Sequence, residues 1–223
     1  MAHEEPGKVL KVLDTAIGAA GKLAKNRIDS LRRSTPHRSD AQLLTKLDEA
    51  FTSAVVSSGA ATGAVAAAPG VGTAIGIVAA TGDASWFLTA ASTYVLSAAE
   101  LRGITIEDFE HQRVLVLMVL AGGGGSTFFS KAAGRTGPHL GKVVTNAVPV
   151  TTLRSINKVL GPNFVTKYGT QRGIITLGKV APFGVGLAIG AGGNLLMARS
   201  VIKTTKAMFD SADALNADED DRS

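Results

Sequence analysis

Apolar residues near the start of the chain recur every three or four positions. They stand at Val9, Leu10, Leu13, Ala16, Ile17, Ala20, Leu23, Ala24, Ile28 and Leu31. Because an α-helix has about 3.6 residues per turn, this spacing gathers them on one face. The pattern predicts an amphipathic helix from about Lys8 to Arg32. A break at Ser34–Asp40 follows, where Ser39 or Asp40 can cap the next helix.

Longer apolar stretches, separated by glycine and proline, predict further helices. These are Ala41–Ala68, Thr73–Leu101, Ile106–Leu120 and Val185–Asp210, with weaker signals at Ser130–Asn146 and Thr151–Leu160. Gly103 is placed to end the second of them as a C-cap, and Thr105 with Asp108 to open the next. Several valines between 143 and 150 are also compatible with a strand at that point. However, no segment alternates apolar and polar residues over more than a few positions. We therefore predict an all-α fold, a single compact helical domain.

One glycine-rich phrase occurs twice. PGVGTAIG at Pro69–Gly76 returns as PFGVGLAIG at Pro182–Gly190. Each copy has two glycines four residues apart, so that they stack on one helix face: Gly72 with Gly76, and Gly186 with Gly190. Glycine inside a helix costs about 1 kcal/mol relative to alanine, and close approach by a neighbouring helix is the usual compensation. The phrase therefore predicts helical hairpins packed along glycine seams. Its spacing differs from the dinucleotide-binding fingerprint.

Asp83 stands alone in an apolar run. No charged residue occurs from Ala50 to Gly82 or from Ala84 to Ala99. An ionised carboxylate in such surroundings is costly unless it is paired or hydrated. We predict that Asp83 forms a buried hydrogen bond or ion pair, here called a polar tie, with Asn194 or Arg199. Asn194 is favoured because it continues the second glycine seam. The alternatives are a ligand or ion site at Asp83, or a carboxylate that faces water or caps a helix kinked at Gly82.

Residues that commonly carry catalysis or bind metals are scarce. The chain has no cysteine, which excludes thiolate chemistry and disulfides, and its four histidines lie apart, at His3, His37, His111 and His139. No zinc-protease His-Glu-x-x-His and no hydrolase Gly-x-Ser-x-Gly motif occurs. GIITLGKV at Gly173–Val180 approaches a P-loop, but Val180 replaces the Ser or Thr that would hold magnesium. We expect a non-enzymatic protein with no catalytic residue, cofactor or bound metal.

Basic residues are concentrated on the polar face of the first helix. The chain has a formal net charge of +5, and this face holds Lys8, Lys11, Lys22, Lys25 and Arg32. Each cation near an anionic membrane contributes about 1 kcal/mol to binding, and the apolar face of such a helix can lie in the membrane interface. In the alternative interpretation, that apolar face docks on the protein's own core. Nucleic acid is not expected as a partner, since no aromatic platform accompanies the cations.

The end of the chain reverses this charge. Asp218–Asp221 is wholly acidic, so we predict a disordered, solvated tail. The expected division is 1–39 for the basic helix and linker, 40–210 for the helical domain and 211–223 for the tail.

Four blocks of the chain, in their order, resemble the EcsC family of bacterial proteins. They are SGAATGAVAAAPGVGT, ATGDASWFLTAASTYVLSAAELRG, TIEDFEHQRVLVLMVLAG and LGKVAPFGVGLAIGAGGNLLMARSV. The resemblance covers about Ala41 to Phe209, and its most specific block joins the glycine ridge to Asn194 and Arg199. The family is named after a gene beside those of an ABC transporter, so the resemblance implies a link to transport or secretion. It supplies no catalytic residues, because no activity is established for the family.

The expected function combines these signals. No apolar stretch is a clean membrane span, because Pro69-Gly70, Asp83 or the glycines of 122–125 interrupt each one. The N-terminal MAHEEPGKVLK has no apolar core of a secretory signal, which favours the cytoplasm. We expect a non-enzymatic helical protein, peripheral or partly inserted at the inner face of the cell membrane, with anionic lipids and an ABC transporter or another membrane protein as partners. The alternative is a soluble carrier that binds a lipid or other apolar ligand between glycine-lined hairpins.

Overall fold

The computed structural model describes the backbone of residues 6–67, 73–104, 106–120, 149, 151–158 and 185–220. Side chains are described for 10–58, 85–104, 106–120, 149, 151–158 and 193–210. Six helices occur in these residues: α1 (Pro6–Ser34), α2 (Asp40–Ala67), α3 (Thr73–Leu101), α4 (Phe109–Leu120), α5 (residues 151–158) and α6 (Val185–Asp220). The described part of the chain contains no strand, which confirms the all-α prediction. The predicted helix at Ser130–Asn146 lies outside the described residues.

The helix boundaries follow local capping chemistry. Ser39 caps α2 reciprocally: its hydroxyl accepts from the Gln42 amide at 3.4 Å, while the Gln42 side chain accepts from the Ser39 amide at 3.1 Å. Gly103 ends the α3 turn with φ of 74°, a conformation that favours glycine, as predicted. The predicted start of α4 at Ile106 was too early. Asp108 accepts from the His111 amide at 3.0 Å, so the helix begins after Asp108.

The last helix is longer than predicted. We placed its end near Asp210 and a disordered tail after it, but α6 continues to Asp220. The ten added residues, SADALNADED, contain no glycine or proline and include alanine and leucine, which favour helix. The prediction of disorder was therefore wrong for residues 211–220, because net acidity alone does not stop a helix. Residues 221–223 lie outside the described part of the chain.

Helix α3 is the centre of the described core. It packs against α1, α2, α4 and α6, and α2 in turn packs along α6. Every residue from 91 to 99 is buried, as expected of a helix with neighbours on several sides. The two helices that begin at Thr73 and Val185, each within one copy of the glycine phrase, contact each other. Gly72 and the surroundings of Gly76, Gly186 and Gly190 lie outside the described residues, so the glycine seam itself stays a prediction.

The apolar face of α1 belongs to this core. Leu13, Ile17, Ala20 and Ile28 are all essentially inaccessible to solvent, and α1 packs mainly on α3. Of the two alternatives for this face, the structure shows docking on the protein's own core. The helix within 1–39 thus shares one core with the helices of 40–210. No helix in the described part of the chain combines the length and apolarity needed to cross a membrane.

Candidate functional site

The predicted polar tie involves one buried and one exposed residue. Asn194 is 0% exposed, and its side-chain amide donates to the Val55 carbonyl oxygen at 2.9 Å, which joins α6 to α2. Arg199, five residues further along α6, is exposed. The side chain of Asp83 lies outside the described residues, so its pairing with either residue stays a prediction. The structure thus shows Asn194 as a buried tie, with a backbone partner that no sequence pattern marks.

The basic residues of α1 form an exposed row on its outer side. Lys11, Lys22, Lys25 and Arg32 are exposed as expected, while the side chain of Lys8 is outside the described residues. Arg32 lies 3.7 Å from Asp40 in a solvent-exposed ion pair, a type that contributes little to stability. Sequence reasoning missed Arg33, which is also exposed. Residue spacing could have identified Arg33. Lys11, Lys22 and Arg33 are spaced by eleven residues, about three helical turns, so they share one side of α1.

Two apolar side chains are exposed beside this row. Val12 is 39% and Leu23 44% exposed, and they too stand eleven residues apart. We call the combined set the α1 surface: Lys11, Lys22, Lys25, Arg33, Val12 and Leu23. Asp29 is an exposed acid on the same helix. The α1 surface thus places cations next to apolar side chains, a combination that suits a lipid interface.

A groove of about 650 Å³ opens between α1, α2 and α3. Leu23 and Arg27 line it from α1, Phe51 from α2 and Trp86 from α3. Trp86 is 40% exposed, so its ring lies at the rim. We call this the α1–α2–α3 groove. Sequence reasoning did not find it, because its walls come from three helices and local patterns do not specify how those helices pack.

A partly buried polar cluster supports one side of this groove. The Tyr94 hydroxyl donates to one Asp48 carboxylate oxygen at 2.7 Å, and Lys206 Nζ lies 2.5 Å from the other. Burial, followed by the hydrogen bond and charge of Asp48, raises the pKa of Tyr94 well above its usual value. The ring of Tyr94 stacks on Phe51 with centroids 4.6 Å apart. The cluster ties α2, α3 and α6 together, with the Tyr94 hydroxyl as the donor to Asp48.

A second polar cluster joins α1, α4 and α5. Arg113 Nε donates to Asp14 at 2.6 Å, and Nη1 donates to the Asn157 carbonyl at 3.3 Å. The Asn157 amide donates to the Glu110 carboxylate at 2.6 Å. A cleft of about 410 Å³ lies among these residues. Because Arg113 pairs with Asp14 and donates to the Asn157 backbone, and Asn157 donates to Glu110, the arrangement holds three helices in place.

His111 is the histidine with the most constrained surroundings among those described. It is buried at the start of α4, and its Nδ1 contacts the Asp108 carboxylate that also caps the helix. In the described residues its Nε2 has no hydrogen-bond partner. No cluster of three or more His, Cys, Asp or Glu side chains suited to a metal ion occurs in the described ranges. The contacts of His111 therefore assign it to capping α4.

Comparison with known proteins adds no assignment. No protein-family model matches the chain, and neither does any curated protein or solved structure. The resemblance to the EcsC family therefore stays a prediction.

Proposed function

We propose that this protein is a non-enzymatic, peripheral membrane protein that binds anionic lipid through the α1 surface. The observation that carries the proposal is the row of exposed cations with Val12 and Leu23 exposed beside it. A role beside a membrane transporter at the cytoplasmic face, which the EcsC resemblance implies, is the wider form of the same proposal. The carrier alternative, with its ligand between glycine-lined hairpins, concerns surfaces outside the described side chains.

Because its apolar face is buried in the core, α1 binds with the fold intact. Lys11 and Arg33 are separated by about 33 Å along the helix axis, so the helix lies flat on the surface to bring the whole row to the headgroups. Only Val12 and Leu23 are then available to enter the interface from α1. The proposed contact is shallow, with cations at the phosphates and two apolar side chains just below them.

The expected affinity is modest. Four cations at about 1 kcal/mol each, offset by Asp29, leave roughly 3 kcal/mol. Partial burial of Leu23 adds about 1 kcal/mol, taken as the exposed share of a fully buried leucine. The sum corresponds to a dissociation constant near about 1 mM. The protein should therefore bind membranes reversibly, and a partner or a second contact would be needed for permanent residence.

Vesicle co-sedimentation tests the proposal. The vesicles contain either phosphatidylcholine alone or a mixture with phosphatidylglycerol. The test variant carries Lys11→Gln, Lys22→Gln and Lys25→Gln, and should lose about 100-fold in partitioning to anionic vesicles. The matched control carries Arg154→Gln, Lys158→Gln and Lys203→Gln, which remove the same charge from exposed positions on α5 and α6.

The control should retain most of the binding. Equal loss in both variants would show that net charge, and not the α1 surface, attracts the protein. Equal binding of the unmodified protein to neutral and anionic vesicles would also overturn the proposal.

A further inference from the structure

The α1–α2–α3 groove has an apolar interior and a solvent-exposed rim. Leu47 and Phe51, which line it from α2, are almost inaccessible to solvent, whereas Leu23 and Trp86 are among the most exposed large apolar side chains described. Its volume of about 650 Å³ falls within the range of about 300–1,000 Å³ typical of small-molecule sites. The groove thus offers apolar contact that begins at the surface and continues inward.

Small side chains keep the groove open. Ala50 and Ala54 line it from α2, and Ala90 lines it from α3. Larger residues at these positions would fill the space between the helices. The hydroxyl of Tyr94 is engaged by Asp48, so the stacked rings of Tyr94 and Phe51 contribute apolar surface to the wall. An elongated apolar group can therefore lie between α2 and α3.

Arg27 is the one charged residue among the described residues that line the groove. It is exposed, and the described part of the chain offers it no ion pair. The guanidinium group stays protonated at all physiological pH values and binds carboxylates in a two-pronged geometry. A single fixed cation beside an apolar groove is complementary to a molecule with one anionic end and one apolar chain.

We propose that this groove binds a free long-chain fatty acid, with its carboxylate on Arg27 and its acyl chain along Phe51, Ala54 and Trp86. The single cation matches the single charge of a carboxylate. The site is separate from the cations Lys11, Lys22, Lys25 and Arg33 of the α1 surface, none of which lines the groove. The inference therefore does not depend on membrane binding.

The chain has one tryptophan, Trp86, so intrinsic tryptophan emission reports on this groove alone. The protein is titrated with 9,10-dibromostearate, whose bromine atoms quench a tryptophan in contact with the acyl chain, and with stearate as the non-quenching competitor. Concentrations stay below the range in which either acid aggregates, and no vesicles are present. We expect saturable quenching by the brominated acid and its reversal by stearate.

Two variants and one control locate the site. Arg27→Gln should raise the dissociation constant about tenfold, because it removes a charge-assisted contact. Ala54→Leu, at an exposed position that does not enter the core, should abolish saturable quenching by filling the groove. Lys25→Gln removes an equal charge from α1 outside the groove and should leave binding unchanged. Circular dichroism and thermal melting verify that each variant is folded.

The results also separate this inference from the proposed function. The variant with Lys11→Gln, Lys22→Gln and Lys25→Gln should retain fatty-acid binding, and Ala54→Leu should retain vesicle binding. Absence of saturable quenching would overturn the inference. So would equal affinity of Arg27→Gln and the unmodified protein, or equal affinity for the fatty acid and its methyl ester. Quenching by a brominated phospholipid in vesicles without any by the free acid would likewise reject it.

Discussion

Asn194 donates a hydrogen bond to the backbone carbonyl of Val55, 139 residues earlier in the chain, at 2.9 Å and out of contact with solvent. The bond crosses from α6 to α2, two helices that pack along each other. A buried amide needs such a partner, since leaving it unsatisfied costs about 1–3 kcal/mol. Val55 O lies inside a helix, where a carbonyl oxygen has a second lone pair to offer. The register of α6 on α2 is fixed at this point.

Replacing Asn194 by aspartate should be worse than replacing it by leucine. Asn194→Asp places a buried carboxylate against a carbonyl oxygen, and we expect a loss of about 3 kcal/mol or more in the free energy of unfolding. Asn194→Leu removes the hydrogen bond to Val55 without introducing charge, and should cost about 1–2 kcal/mol. Urea denaturation measures both. Leucine as the more damaging change would contradict a role based on hydrogen bonding.

The prediction for Asp83 can be tested through the same residue. If Asp83 and Asn194 form one tie, a double-mutant cycle with Asp83→Asn and Asn194→Ala should give a coupling energy of about 0.5 kcal/mol or more. Asp83→Asn should also be milder than Asp83→Leu, because an amide still forms hydrogen bonds. Arg199→Gln, at an exposed position, serves as the comparison. If Asp83→Asn is additive with Asn194→Ala but coupled to Arg199→Gln, the partner of Asp83 is Arg199.

The sequence predicted the helices better than the surfaces between them. Spacing of apolar residues and local breaks are encoded within a few positions, so α1 and α3 could be located almost to the residue. The bond to Val55 could not be foreseen, because a backbone carbonyl is present at every position and carries no signal. The α1–α2–α3 groove depends on how three helices meet, which local patterns do not specify. The end of α6 was misjudged because acidity was given more weight than helix propensity.

Stability should fall at high pH through Tyr94. Its pKa is raised in the folded protein by burial and by Asp48, while the unfolded chain releases this proton near pH 10. Above about pH 10 the unfolded state therefore binds fewer protons, and the free energy of unfolding falls by up to about 1.4 kcal/mol per pH unit from this group. Below that pH the contribution is fully present.

Tyr94→Phe isolates the effect from the titration of lysines. The variant should be less stable than the unmodified protein at pH 8, by about 1 kcal/mol for one lost hydrogen bond. The difference should shrink at pH 10.5 or above, because only the unmodified protein loses the tyrosine contribution. Urea denaturation at the two pH values measures it. A constant difference would mean that Tyr94 titrates alike in both states.

Replacing Asp14 and replacing its partner Arg113 should lower the free energy of unfolding by different amounts. The Arg113 side chain is 12% exposed and that of Asp14 39%. Asp14→Ala leaves a nearly buried guanidinium without its carboxylate, and should cost about 1–3 kcal/mol in the free energy of unfolding. Arg113→Met keeps the aliphatic packing and leaves Asp14 able to reach water, so it should cost less. The opposite order, measured by urea denaturation, would show that packing of Arg113 outweighs charge pairing.

Leu23 separates the apolar from the electrostatic part of membrane binding. Its side chain is 44% exposed, so Leu23→Gln should leave the melting temperature nearly unchanged. The same change should lower partitioning to anionic vesicles about fivefold, the equivalent of about 1 kcal/mol.

Raising the salt concentration from about 0.1 M to 1 M shortens the screening length from about 10 Å to 3 Å, which weakens the contribution of Lys11, Lys22, Lys25 and Arg33. The two changes act on different contacts, and their effects on the free energy of partitioning should therefore add. Ile17→Gln, on the same helix but in the core, should instead unfold or strongly destabilise the protein. Vesicle binding that is unaffected by Leu23→Gln at both salt concentrations would show that the protein rests on the headgroups without entering the interface, and that only the cations of α1 make the contact.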